Sequence, residues 1–161
     1  MDLLQNIFKQ VDFVSRENKT PVYVVGGFVR DFLLGQEQKK DVDFVVVGGG
    51  LEFARKFDEA VDKTGSLVEF PDFDTARYVL AEEIVLEFAG ARREKYQADS
   101  RKPAVEQTSL EEDLSRRDFT VNAMAVASAV FGGLRPASLS KIKKEIIDPF
   151  HGQEDLKNKI L

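Results

Sequence analysis

Two aspartates, Asp41 and Asp43, head the apolar run Phe44–Val47. Their spacing limits what this stretch can become. Residues i and i+2 of a β-strand share one face, so the two carboxylates stand roughly 7 Å apart, two residues at about 3.3 Å rise each. Like charges that close raise each other's pKa unless something positive lies between them. Charged side chains in phase with core residues also seldom occur without a partner. Two readings fit: a charged strand start beside Lys39 and Lys40, or an oxygen-only cation site. For the second, the usual ion is Mg²⁺, which accepts one or two carboxylates, waters and substrate phosphates.

A place for phosphates lies just upstream. Val22–Val25 reads as a short buried strand, Gly26-Gly27 turns the chain, and Phe28–Leu34 reads as a helix ended by Gly35. A strand running through glycines into a helix turns backbone N–H groups and the positive end of the helix dipole toward an anion. Arg30 in the first helical turn adds a guanidinium fork. Alone, the glycine pair equally fits a tight turn. The run lacks the third glycine of a dinucleotide fingerprint and has no Gly-Lys-Ser/Thr, so neither Rossmann nor P-loop chemistry is supported. Asp31 reads as a partner within the fold.

Composition narrows the classes further. The chain of 161 residues suits one domain with a real core. Its apolar runs reach four or five residues, far short of a membrane span, and Asp2 and Gln5 interrupt any leader. Without cysteine there is no disulfide framework or thiolate zinc site, and the single histidine, His151, makes a catalytic triad improbable. These features point to a cytoplasmic protein. A net charge of −5 argues against a basic nucleic-acid wrapper. The basic residues nevertheless cluster, at Arg92–Lys102, at Arg116-Arg117, and at Lys141–Lys144, the last reading as a solvated face.

The apolar spacing predicts helices over 2–18 and 51–63, strands at 41–47, 67–70, 76–80 and 84–89, and a mobile polar loop over 90–107. Thr108 or Ser109 caps a short acidic helix through Glu111–Asp113. A helix is expected from Phe119 to Val130, a loop or hairpin over 131–141 containing Pro136, a strand at Glu145–Ile147, and a helix near Gln153–Lys159. The alternation suggests an α/β (α+β) domain, a mixed β-sheet flanked by helices.

Two further segments bear on chemistry. Glu87 interrupts the apolar strand Ile84–Ala89. If that strand lies beside Asp41–Val47, Glu87 is a third metal-facing carboxylate, ligand or base; otherwise it is an edge-strand acid paired with Arg92 or Arg93. Arg116-Arg117-Asp118-Phe119-Thr120-Val121-Asn122-Ala123 puts two arginines just before a predicted helix. One of them is a natural clamp for triphosphate oxygens, and Asn122 one turn on could face the same cleft.

In order, Val25-Gly26-Gly27-x-Val29-Arg30-Asp31-x-Leu33-Leu34-Gly35, Asp41-x-Asp43, Arg116–Ala123 and Asp148-Pro149-Phe150-x-Gly152-x-x-Asp155-Leu156 resemble the class II tRNA nucleotidyltransferase and bacterial poly(A) polymerase family. The chain is also similar to bacterial members carrying Ala91-Arg92-Arg93-Glu94-x-Tyr96 and Ser100-Arg101-Lys102-Pro103. The resemblance covers essentially the whole chain. It implies a nucleotidyltransferase fold over 1–161 and Mg²⁺-dependent transfer of CMP or AMP from CTP or ATP to the 3′ end of tRNA or another RNA. Gly26, Gly27 and Arg30 would contact the nucleotide, and Asp41 and Asp43 would hold Mg²⁺ with Glu87 as a further catalytic carboxylate. Arg117 would bind the triphosphate, while Asp118 and Asn122 would shape its pocket. The Asp148–Leu156 segment is expected to be structural and His151 incidental. Family members continue into a base-reading helix and tRNA-holding domains, so the chain is expected to be the catalytic head, as a fragment or as part of a split enzyme. Two rivals stay open: a nucleotidyltransferase acting on a small molecule or protein, and a non-catalytic nucleotide-binding module.

Overall fold

The computed structural model describes residues 3–36, 40–80, 84–95, 104–133 and 139–160. Lys39, Tyr96, Ser100–Pro103 and Pro136 lie outside the described residues.

Helix α1 (Leu3–Glu17) buries Ile7, Phe8, Val11 and Val14 along one side, the repeat that its sequence carries. Strand β1 (Val22–Val25) runs to Gly26, whose φ of +70° a side-chain-bearing residue rarely adopts. Helix α2 (Gly27–Leu33) follows and ends before Gly35, which also has positive φ. Strand β2 (Asp41–Val46), helix α3 (Gly50–Ala60) and strands β3 (Ser66–Phe70), β4 (Thr75–Val79) and β5 (Val85–Gly90) come next. Asp74 accepts hydrogen bonds from the N–H groups of Gly50 (3.0 Å) and Leu51 (3.1 Å), so a carboxylate of the chain itself occupies the α3 N-terminus.

Six strands form one mixed sheet in the order β3-β4-β5-β2-β1-β8, where β8 is Ala125–Ala127. Only β2 and β5 pair in parallel. One face packs on α1, α3 and α5 (Ser128–Gly132). That core is aromatic: Phe88 stacks on Phe44 with centroids 5.0 Å apart and meets Phe53 and Phe57 at 5.3 and 5.2 Å. The opposite face carries a smaller cluster of Val25, Val45, Ala91, Leu114, Ala123 and Ala125. Among the described residues, no helix is long and apolar enough to cross a membrane.

Four sequence expectations are corrected. Phe119–Val130 is not one helix but a 3₁₀ turn (Thr120–Asn122), then β8, then α5. Met124 and Val126 enter the aromatic core while Ala123 and Ala125 enter the smaller cluster. A strand buried on both faces shows no alternation, and β1 offers it a free edge to pair with. The stretch 90–107 is not simply a loop, because β6 (Arg92–Lys95) and β7 (Ala104–Gln107) pair antiparallel, with Arg93 held to the facing Glu106 at 3.0 Å. Charged residues on both sides hide the period. The chain from Leu139 to Glu145 is helix α6, with Ile142 buried and lysines outward, and the expected strand at 145–147 shrinks to one bridge between Ala125 and Ile147.

Phe88→Ala should cost about 3–5 kcal/mol, whereas Phe13→Ala, at a side chain 50% exposed, should stay within about 0.5 kcal/mol. Urea unfolding of both variants checks the contrast, and equal losses would contradict the placement of the core.

Candidate functional site

The register of four strands places the acidic residues. Val25 on β1, Asp43 on β2, Glu87 on β5 and Arg77 on β4 lie side by side across the sheet. Alternation along β2 sends Val42, Phe44 and Val46 into the aromatic core, so Asp41 and Asp43 emerge on the other face with Glu87. Glu87 is thus the direct neighbour of Asp43, as the condition on strand adjacency required. Its ionic partner is Arg77, 2.9 Å away, and not Arg92 or Arg93.

Above this face lies a cleft of about 590 Å³, with Asp43 and Glu87 on the sheet side and Arg116, Arg117, Asp118 and Asn122 opposite. Arg116 ends helix α4 (Leu110–Ser115), whose first turn Ser109 caps by accepting from the Glu112 N–H. Behind the arginines lies Asp113, with no exposed surface. Asp113 Oδ1 accepts from Arg116 Nε (3.1 Å) and Nη2 (2.9 Å) and from the Arg92 N–H (3.2 Å). Asp113 Oδ2 accepts from Arg117 Nη2 at 3.3 Å. Arg92 also lines the cleft.

Gly26 lies between the two sides. A β-carbon there would come within 3.4 Å of Asp43 Oδ2 and 3.5 Å of Arg117 Nη1. Gly26, at positive φ, thus sits in ordinary contact distance of both the acid and the arginine. Asp118 and Asn122 line the cleft as expected, whereas Gly26, Gly27, Arg30 and Asp41 do not form its wall. Arg30 is turned to its own partners, with Nε and Nη2 on Asp31 Oδ1 at 2.8 and 2.7 Å and Nη1 on Asn122 Oδ1 at 2.8 Å. Asp31, 2% exposed, is the internal partner that its sequence position suggested. Arg30 thereby steadies Asn122.

The Asp148–Leu156 segment braces the same wall from outside. Asp148 accepts from the Gly152 and Gln153 N–H groups (2.7 and 2.9 Å) and so caps helix α7 (Gly152–Asn158). Asp155 Oδ2 accepts from Thr120 Oγ1 at 2.6 Å, and Gly152 lets the Thr120 carbonyl approach where a β-carbon would collide. These contacts tie the segment into the fold, and His151 takes the left-handed conformation before α7.

Asp43 stays accessible from the cleft, yet burial by the walls raises its carboxyl above the ordinary 3.8. Glu87 raises it further, Arg117 lowers it, Asp41 raises it and Arg77 lowers it. Acids that disfavour one another's charge on one face, offering oxygen alone, fit a hard divalent cation. Among the described residues no three acids or histidines close on one point. Two carboxylates completed by water and phosphate suit Mg²⁺ in that setting.

Sequence reasoning missed Asp113 and Arg77. Asp113 precedes the arginine pair by three and four residues, the spacing of one helical turn, while Arg77 is the charge in β4 that answers the charge in β5.

In metal-free buffer, Asp43→Asn should stabilise the chain at about pH 7. A carboxyl whose folded pKa exceeds the unfolded one favours folding fully only below the unfolded value, near 3.8, and loses that contribution as pH rises through the folded value. The gain from the amide should therefore shrink toward about pH 3. Thermal melts in EDTA at both values test this, and equal Tm differences would refute it.

Comparison with known proteins agrees with this geometry. A family profile described as the Poly A polymerase head domain matches residues 22–161. An A-adding tRNA nucleotidyltransferase of Aquifex aeolicus is 45% identical over 142 residues, covering 86% of this chain and 15% of that protein. A CCA-adding enzyme of Coxiella burnetii is 42% identical over 146 residues, 87% of this chain and 32% of that one. Among solved structures, a tRNA nucleotidyltransferase complexed with a primer tRNA and an incoming ATP analog superposes with a TM-score of 0.70 at 39% identity, over 92% of this chain and 37% of that chain. The chain thus spans a third or less of those two relatives. Sheet, acidic strand and arginine segment all lie within the matched span, and the chain belongs to the poly(A) polymerase head-domain family, with its nucleotidyltransferase fold.

Proposed function

We propose that the chain is the catalytic head of a template-independent RNA nucleotidyltransferase, joining CMP or AMP to the 3′ end of tRNA or another RNA in the cytoplasm. One observation carries this reading: Asp43 and Glu87 face Arg117 across a single cleft, an anionic wall opposite a cationic one.

In this reaction the RNA 3′-hydroxyl attacks the α-phosphorus of ATP or CTP, and the bond to pyrophosphate breaks. Asp41 and Asp43 are the residues that would hold Mg²⁺, which when bound polarises the hydroxyl and neutralises the leaving pyrophosphate. Arg117 and Arg116 face the triphosphate and offset its charge. Glu87, beside Asp43, would assist the hydroxyl, with its pairing to Arg77 orienting the carboxylate along the sheet. Asn122, fixed by Arg30, closes the far wall. Gly26, between Asp43 and Arg117, and Gly27 after it would offer backbone to the nucleotide, Asp118 would shape the pocket, and base selection and most of the RNA grip are assigned to domains outside this span. The Coxiella relative named for CCA addition and the Aquifex relative named for A addition support an RNA acceptor over a small molecule.

Titration calorimetry with Mg·ATP and Mg·CTP tests the site. Asp43→Ala should abolish Mg²⁺-dependent binding, and Arg117→Ala should weaken it about tenfold or more. Unchanged isotherms for Asp43→Ala would remove the two-aspartate site from the reading.

A further inference from the structure

We propose that Asp113 is a positioning residue for the triphosphate, acting through Arg117; this rests on the nucleotide-binding reading above. Three arginines line the cleft, and each gives at least one N–H to this single carboxylate: Arg92 through its backbone, Arg116 and Arg117 through their guanidiniums. Asp113 itself is fully buried and does not line the cleft, so it touches no ligand. A buried carboxylate must be matched by charge and by hydrogen bonds, and here four N–H···O contacts match it.

The two oxygens divide the work. Oδ1 receives Arg116 and the Arg92 backbone, which together tie α4 to the start of β6. Oδ2 receives Arg117 alone among the described residues. Arg117 Nε is buried without a hydrogen-bond partner among the described residues, so the contact through Nη2 is what fixes the guanidinium. A long side chain with a rotamer-rich stem loses much freedom when it grips a phosphate. Held in place beforehand, Arg117 has less left to lose on binding.

The division also supplies a selective variant. In Asp113→Asn the amide oxygen can keep the Oδ1 contacts, but the NH₂ group replaces Oδ2 and meets Arg117 Nη2 donor to donor. The frame remains while the tie to Arg117 is cut.

The test is a double-mutant cycle on the full chain, titrated with Mg·ATP. Asp113→Asn should weaken binding about tenfold in the unaltered background and less than about twofold in the Arg117→Ala background, with each variant verified as folded under the titration conditions. Equal weakening in both backgrounds would show a merely structural role and overturn the proposal, as would no weakening in either. No binding of Mg·ATP by the unaltered chain would overturn the nucleotide site and this proposal together, whereas parental binding with a silent Asp113→Asn would overturn this proposal alone. A measurement that needs no folded Asp113 variant stands beside the cycle. In the unliganded chain, the Arg117 side-chain NH signals, assigned by their loss in Arg117→Lys, should show slowed guanidinium rotation. Free rotation would overturn the proposal.

Discussion

Strand β2 divides its side chains between two environments, and every other feature of the cleft depends on that division. Val42, Phe44 and Val46 enter the aromatic core, and the two-residue period forces Asp41 and Asp43 onto the opposite face. A slip of one residue would drive two carboxylates among Phe88, Phe53 and Phe57, a burial that no partner there could match. Core packing therefore does more than stabilise the domain. It sets the register in which Asp43 meets Glu87 and Glu87 meets Arg77.

The acids thus gathered are unfavourable for one another, as the raised Asp43 carboxyl shows. Opposite charge reaches them from two directions. Arg77 arrives within the sheet, while Arg117 arrives from the segment after α4, beside Gly26. Neither arginine cancels the acidic cluster, since burial and like charge still raise the Asp43 carboxyl above its ordinary value. A cleft negative on its sheet wall and positive on its far wall matches a cation bound to a polyphosphate, which presents the same two charges in the same order.

How much of this was readable in advance follows from where each signal resides. The acidic pair, the glycine turn and α1 to β5 were legible because period and punctuation are local. Strand β8 was not, since Ala123–Val126 is buried on both faces and carries no alternation. The β6–β7 pair was missed for the opposite reason: β6 is charged throughout and only Ala104 and Val105 of β7 are apolar, so its backbone ladder and the pairing of Arg93 with Glu106 leave no period to read. For the site, residue types that bear charge in apolar surroundings stood out, so Glu87's place beside Asp43 was legible. Its partner Arg77 was not legible, because Arg92 and Arg93 are the nearby charges after the strand, whereas Arg77 faces Glu87 only across the ladder. Asp113 looked like one of three acids in a helix's first turn, where acids are favoured by the dipole alone. Only the fold shows that Glu111 and Glu112 are exposed and Asp113 is sealed.

The wall opposite the acids is thus built in depth, from side chains that face away from the cleft. Asp113 ties Arg116 and Arg117 to β6. Arg30 and Asp31 hold Asn122 from the α2 side. Asp155 and Gly152 clamp the Thr120–Asn122 turn from α7, with Asp148 capping that helix in turn. These ties approach a short 3₁₀ turn from separate directions, and such a turn has little stability of its own. The acidic strand needs no such scaffold, because its place in the sheet is already set by register. The arginine segment lacks a ladder, and the contacts made by Arg30 and by the Asp148–Leu156 segment hold it in place.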